Sequence, residues 1–231
     1  MTDPGWQASG EANVRGGGRP GGAFPAPAGG GAVALRSDTS YPVTTALDAP
    51  LELPNWRAIG NYFLAIPHFI FASILMIGAY FYAIYAWFTI LTSGNMPPDA
   101  GNFIAGVQRY WFRTLAFYYF LFEPYPEFQV PAGYADPGGS PVRLDIVPAT
   151  SYDRVQVALR FLFIIPLWLY GILVAVMLWI GIIIGFFSVL LGGKWNEQWR
   201  RTVFGCLTWV TRVNCWYFLL VNEYPPFNYN L

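Results

Sequence analysis

Arg109, Arg113, Arg201 and Arg212 stand in or beside apolar segments, and they carry the chemistry that the sequence concentrates most strongly. A guanidinium stays charged at any physiological pH and offers five N–H donors in a planar fork, which suits phosphate, carboxylate or carbonyl oxygen. In lipid, an arginine at a helix centre costs about 2.5–3.5 kcal/mol, so it needs a partner or a route to the headgroups. Asn102, Gly106, Arg109 and Arg113 follow one another at intervals of four, three and four, which makes one stripe of a helix. Arg201, Gly205, Thr208 and Arg212 form the matching stripe. Asn102, Arg109, Arg113, Arg201 and Arg212 are therefore candidates for binding a partner or an anionic lipid. The competing reading is structural, with tilted helices whose arginines snorkel to the headgroups.

Other chemistries find no constellation. His68 is the single histidine, so a metal site built from His and Cys clusters is not expected. Cys206 and Cys215 lie about 13 Å apart along one predicted helix, too far to bond to each other, and read as small core residues. There is no Ser-His arrangement and no carboxylate pair within an apolar segment, so neither catalysis nor a cofactor is expected. Thirteen acidic residues balance 13 lysines and arginines, which leaves no bulk field to attract nucleic acid.

The elements that must position these arginines occur twice. Ile66-Pro67 returns as Ile165-Pro166, Phe88 as Phe187, Gly94 as Gly193, Gly106 as Gly205, Arg113 as Arg212 and Tyr118 as Tyr217, always 99 residues later. The chain is thus two copies of one unit, 40–128 and 139–231 with its short C-terminal end, joined by a linker over 129–138. A Gly/Pro-rich stretch, 1–39, precedes them and is expected to be a disordered tail without a signal peptide. With 55% hydrophobic and only 11% charged residues, the class is membrane protein.

Within each copy a short β-branched segment, Pro42–Asp48 or Pro141–Val147, predicts an extramembrane strand, and the two strands can pair with each other. Interfacial helices follow over 56–66 and 155–165, then apolar spans over 67–91 and 166–191 that end at Gly94 and Gly193. Small residues on the spans, Ala72, Ala79, Ala83 and Ala86 in one and Gly171, Ala175, Gly181 and Gly185 in the other, predict close helix packing, as do Gly106 and Gly205. The arginine helices, 104–122 and 203–221, are just long enough to cross. Eight strong apolar residues in the first contribute roughly −4 kcal/mol against about +5 to +6 for Arg109 and Arg113, so that helix should not insert alone. Neither contains an acid, which leaves backbone carbonyls, tyrosine hydroxyls, a lipid phosphate or another subunit's carboxylate as partners. Tyr125, Phe128, Tyr224 and Phe227 close the copies as interface anchors.

The Pro-Val strand start, the Ile-Pro helix start, Trp87-Phe88 or Phe186-Phe187, the mid-helix arginine and the closing Tyr125-Pro126-Glu127-Phe128 or Tyr224-Pro225-Pro226-Phe227 make a recurring pattern. It resembles a family of bacterial multi-pass membrane proteins, common in actinobacteria and catalogued as a domain of unknown function, over residues 40–128 and 139–227. The resemblance implies a membrane fold and brings no activity with it.

The expected fold is therefore all-α and integral to the membrane. Four transmembrane helices form two parallel helical-hairpin repeats, related by an axis along the membrane normal, each preceded by a strand and an interfacial helix. Such an arrangement disfavours inverted-repeat transport. The expected setting is the inner cell membrane, multi-pass, with both termini cytoplasmic. The expected function is a non-catalytic accessory or assembly subunit that docks a membrane protein complex, an anionic lipid or a second copy of itself. The alternative is a small anion or solute channel with an arginine-lined path.

Overall fold

In the computed structural model, residues 32–229 are described; most of the tail expected to be disordered, 1–31, lies outside them. The order of elements is β1 (Val33–Arg36), β2 (Val43–Ala49), α1 (Arg57–Leu64), α2 (Ile66–Ser93), α3 (Pro98–Tyr118), β3 (Val142–Ile146), α4 (Arg154–Ala158), α5 (Arg160–Gly192) and α6 (Glu197–Tyr217).

The strands form one antiparallel sheet in the order β1-β2-β3, so the molecule is not all-α. β2 and β3 pair as their sequences predict. β1 corrects the expectation for residues 33–36: Leu35 is buried, and pairing Leu35 with Leu47 satisfies a short segment that could not stand alone. The β2–β3 register sets Thr45 opposite Leu144, and these residues are themselves 99 apart. Val43 faces Ile146 and Leu47 faces Val142, so the register maps each copy onto the other. A local two-fold axis between Thr45 and Leu144, perpendicular to the sheet, thus relates the copies.

Because this axis runs across the helices, the hairpins of the two copies are antiparallel, not parallel as expected. Arg109 reaches Leu144 and Arg113 reaches Val142, so α3 runs opposite to β3. Thr208 reaches Thr45 and Arg212 reaches Val43, so α6 runs opposite to β2. Since β2 and β3 are antiparallel, α3 and α6 are antiparallel too, and Phe112 meets Phe204 where they pack. Sequence identity between repeats carries no direction in space; the strand register supplies it.

Outside this centre, α2 packs on α3 and α5 on α6, each through a narrow seam. In α2 the seam is His68, Ala72, Ala79, Ala86 and Ile90; in α5 it is Leu167, Val174, Gly181, Gly185 and Val189. Ala175 lies off the seam and is exposed. Only 17% of the most apolar stretch of α2 and 28% of that of α5 is buried within the molecule. These two helices are long and apolar enough to cross a membrane; α3 and α6 are not among such helices, so the structure offers two candidate spans in place of four.

Helix ends follow the residues expected to make them. Gly94 and Gly193 take φ of 80° and 64°, and their amides bond Ile90 and Val189. Pro67 sits in the first turn of α2, whereas Pro166 lies inside α5, because in the second copy the break comes earlier, at Leu159. The interfacial helix expected over 155–165 is therefore only α4. α1 packs against α5, with Tyr62 and Phe186 rings 6.4 Å apart, and α4 packs against α2, where Trp87 Nε1 donates to Val157 O. Each copy's entry helix thus covers the other copy's long helix.

The seam is tight enough to test. A side chain added at Gly185 would collide with the indole of Trp195, whose Nε1 donates to Phe120 O, while one added at Gly192 would meet nothing. Gly185→Ala should destabilise the fold by about 1–3 kcal/mol. Gly192→Ala should leave the thermal unfolding midpoint in detergent unchanged.

Candidate functional site

The stripe of α3 lies under β3 and the loop before it. Arg109 Nε donates to Leu144 O at 3.2 Å, Nη1 to Pro131 O at 3.0 Å, and Nη2 to Gly133 O at 3.0 Å and Tyr134 O at 2.9 Å. Four carbonyls consume the fork of a side chain that is 0% exposed. The loop can present them because Gly133 takes a φ of 100° and Gly106 has no side chain where Pro131 O approaches. Gly106 therefore admits a loop, where the sequence suggested a second helix. Asn102 contributes its backbone carbonyl, which accepts from the Gly133 amide at 3.2 Å.

Arg113, one turn on, donates through Nε to Val142 O at 3.2 Å and through Nη2 to both oxygens of Asp136 at 2.9 Å. Asp136 also stands 3.4 Å from Arg109 Nε and accepts the amides of Gly138 and Leu144. Burial lowers the Arg109 pKa, and the Asp136 charge opposes that shift. Asp145 accepts the Asp136 amide, and burial raises its carboxyl pKa.

In α6 the equivalent stripe lies under β2. Arg212 Nε donates to Val43 O at 3.1 Å, Nη1 to Asp38 Oδ2 at 3.2 Å and Nη2 to Asp38 O at 3.1 Å, with its guanidinium 5.3 Å from the Tyr41 ring centre. Burial pushes the Asp38 carboxyl up, but Ser40 and the Arg212 charge outweigh it and hold the group below its usual value. Thr208, at the position of Arg109, shares a 2.7 Å hydrogen bond with Thr45. Gly205 is buried on the same helix.

The two copies use equivalent atoms. Arg113 binds Val142 O and Arg212 binds Val43 O, and Val142 is the counterpart of Val43. Each arginine therefore ties its helix to the strand of the other copy. The partners are backbone carbonyls, as foreseen, together with two acids that sequence reasoning did not pair with them: Asp136 from the linker and Asp38 from the supposed tail.

Arg201 is the exception among the stripe residues. It is exposed in the first turn of α6 and stands 3.9 Å from Glu197 on the same helix. Its neighbour Arg200 is buried instead, donating to Ala49 O at 3.0 Å and Leu121 O at 2.8 Å, with its pKa pushed down to about 10 by burial. Arg200 replaces Gly101 of the first copy, a departure from the repeat that could have drawn attention to it. Arg160, the counterpart of Asn61, is the other missed residue. Asn61 donates to Phe117 O and Arg160 to Trp216 O, again equivalent carbonyls.

The aromatic anchors fold back on their own copies. Tyr125 OH donates to Leu64 O at 3.4 Å, and Tyr224 OH to Phe163 O at 2.9 Å. Phe128 stacks on His68 at 4.1 Å, and Phe227 packs edge-on against Tyr170. Tyr125, Phe128 and Phe227 stay about half exposed, while Tyr224 is buried further.

Arg109 and Arg212 thus spend their donors inside the protein, and Arg200, whose Nε has no acceptor, is fully buried, so none of the three presents its fork to the surface. Among the described residues, no group of three or more His, Cys, Asp or Glu could hold a metal ion. Matches to the domain of unknown function DUF4389 cover residues 58–129 and 154–228, so the chain belongs to that family and carries it twice. The matched segments hold the helices and leave β2 and β3 outside. No curated protein and no solved structure matches the chain.

If the clamp holds the fold, Arg109→Leu should cost about 3–5 kcal/mol, since it strands buried carbonyls and leaves Asp136 short of a cation. Arg201→Ala should not move the midpoint. A double-mutant cycle on Arg113→Leu and Asp136→Asn should show coupling of about 0.5–3 kcal/mol, read by denaturation in detergent.

Proposed function

We propose that this double DUF4389 protein is a non-catalytic accessory or assembly protein of the inner cell membrane. α2 and α5 hold it in lipid, and the clamped sheet gives a firm polar surface on which a membrane protein complex or a second copy docks. The carrying observation is the unpartnered apolar surface of α2 and α5, where Ile70, Ile74, Ile77, Phe81 and Phe88 on one helix and Trp168, Leu169, Leu173, Trp179 and Ile183 on the other are exposed. Soluble monomers rarely leave so large a continuous apolar surface to water. Lipid contact by anionic headgroups falls to the exposed cations at the helix ends, Arg154, Lys194 and Arg201, since the buried stripe is spent internally.

An arginine-lined anion path has less support. Arg109 and Arg212 are 0% and 2% exposed along their side chains, and their donors already bind carbonyls and carboxylates.

The test is fractionation followed by purification in mild detergent. The protein should resist alkaline carbonate extraction and elute with a stoichiometric membrane protein or as a defined oligomer. A lone, lipid-free chain that conducts anions in liposomes would overturn this reading in favour of the channel.

A further inference from the structure

We infer that the protein enters only one leaflet, with α2 and α5 lying along the membrane and the sheet facing water. This rests on the membrane-seated reading above and specifies its geometry.

The direction of the helices carries the inference. Arg109 and Arg113 walk down β3 from Leu144 to Val142, and Thr208 and Arg212 walk down β2 from Thr45 to Val43, so α3 and α6 lie flat against the sheet along its strands. α2 runs back beside α3 over much of its length, from the Phe69–Tyr118 contact at 5.1 Å to the Tyr82–Phe103 contact at 4.9 Å. α5 does the same beside α6, from Arg160 over the Trp216 ring to Gly181 under Val203. The long helices therefore run in planes parallel to the sheet. If they crossed the bilayer, the sheet would stand at hydrocarbon depth.

The sheet cannot reside there. Among the described residues it is open at β1, and a lipid-exposed sheet edge leaves backbone groups without partners. Its outer side also carries charge: Asp48 pairs with Arg36 at 2.9 Å and with Arg143. Ion pairs of this kind belong to water or headgroups.

Length points the same way. Phe161 and Leu191, both exposed, are separated by about 45 Å of helix, whereas the hydrocarbon core is about 30 Å thick. Burying that whole stretch across the core would need a tilt near 48°, beyond the usual range of roughly 0–40°. Lying in the leaflet needs none. The two-fold axis through the Thr45–Leu144 pair then coincides with the membrane normal, and the copies sink to equal depth. Arg154, against the Gly94 end of α2, and Lys194, at the end of α5, come to the same headgroup level.

The experiment is side-specific labelling of the full chain in membrane vesicles of known orientation, with a membrane-impermeant maleimide. Three single substitutions report: Asn95→Cys and Lys194→Cys at the ends of the long helices, and Ala135→Cys in the loop beside the sheet. Native Cys206 and Cys215 are buried and serve as the unreactive background. All three are expected to react from one face only, and the same one. Reaction of Asn95→Cys or Lys194→Cys from the face opposite Ala135→Cys would overturn the single-leaflet geometry while leaving the membrane seat intact. Release of the unmodified protein from the vesicles by carbonate would overturn the membrane seat itself.

Discussion

Everything in this structure depends on guanidinium groups meeting carbonyl oxygens that another part of the chain provides. Arg113 and Arg212 each bind the strand of the opposite copy, through equivalent atoms, and Arg109 gathers the loop between the copies. A buried guanidinium left without these partners costs several kcal/mol, so neither arginine helix is content within its own repeat. The two copies are therefore obliged to fold together. Packing repeats this exchange: α1 covers α5, α4 covers α2, and Trp195 of the second copy caps Phe120 at the end of α3. Phe120 and its counterpart Leu219 hold φ of 46° and 67°, a left-handed turn without glycine that costs about 1–2 kcal/mol each. Bonds from Trp195 and Tyr152 to their two carbonyls help to offset that cost.

The same constraint divides the molecule into two chemical halves. Arginines and acids gather on the side of α3 and α6 that meets the sheet, where carbonyls and carboxylates accept from Arg109, Arg113 and Arg212. α2 and α5 meet α3 and α6 through residues as small as Gly181, Gly185, Ala72 and Ala79, and give the rest of their circumference to isoleucine, leucine, phenylalanine and tryptophan. Close packing along a narrow seam needs little area, which is why so much apolar surface remains for lipid.

Much of this was legible in the sequence, and for physical reasons. The 99-residue offset, the glycine stops at Gly94 and Gly193, the long apolar helices and the pairing of β2 with β3 all follow from local composition and repetition. The insertion arithmetic for Arg109 and Arg113 already said that their helix should not insert alone. What could not be read was long-range: Asp136 and Asp38 sit in Pro/Gly-rich stretches with no periodicity, and Asp38 is 174 residues from Arg212. Direction was equally hidden, because two like sequences can be arranged parallel or antiparallel. The helical period carries the stripe to Arg201, but it is Arg200 that turns inward to the end of β2, at Ala49 O, while Arg201 points outward beside Glu197.

The central claim is that each arginine helix lies under the other copy's strand. It is tested most directly by a disulfide between Thr45→Cys and Thr208→Cys, formed by mild oxidation in native membranes in a chain carrying Cys206→Ala and Cys215→Ala. The two hydroxyls lie 2.7 Å apart, close enough for sulfurs in their places to bond after small adjustment. Rapid, near-complete formation of the bond, seen as a mobility shift reversed by reductant, is the predicted result. A folded, membrane-bound chain in which the two cysteines stay free would contradict the exchange of strands between copies.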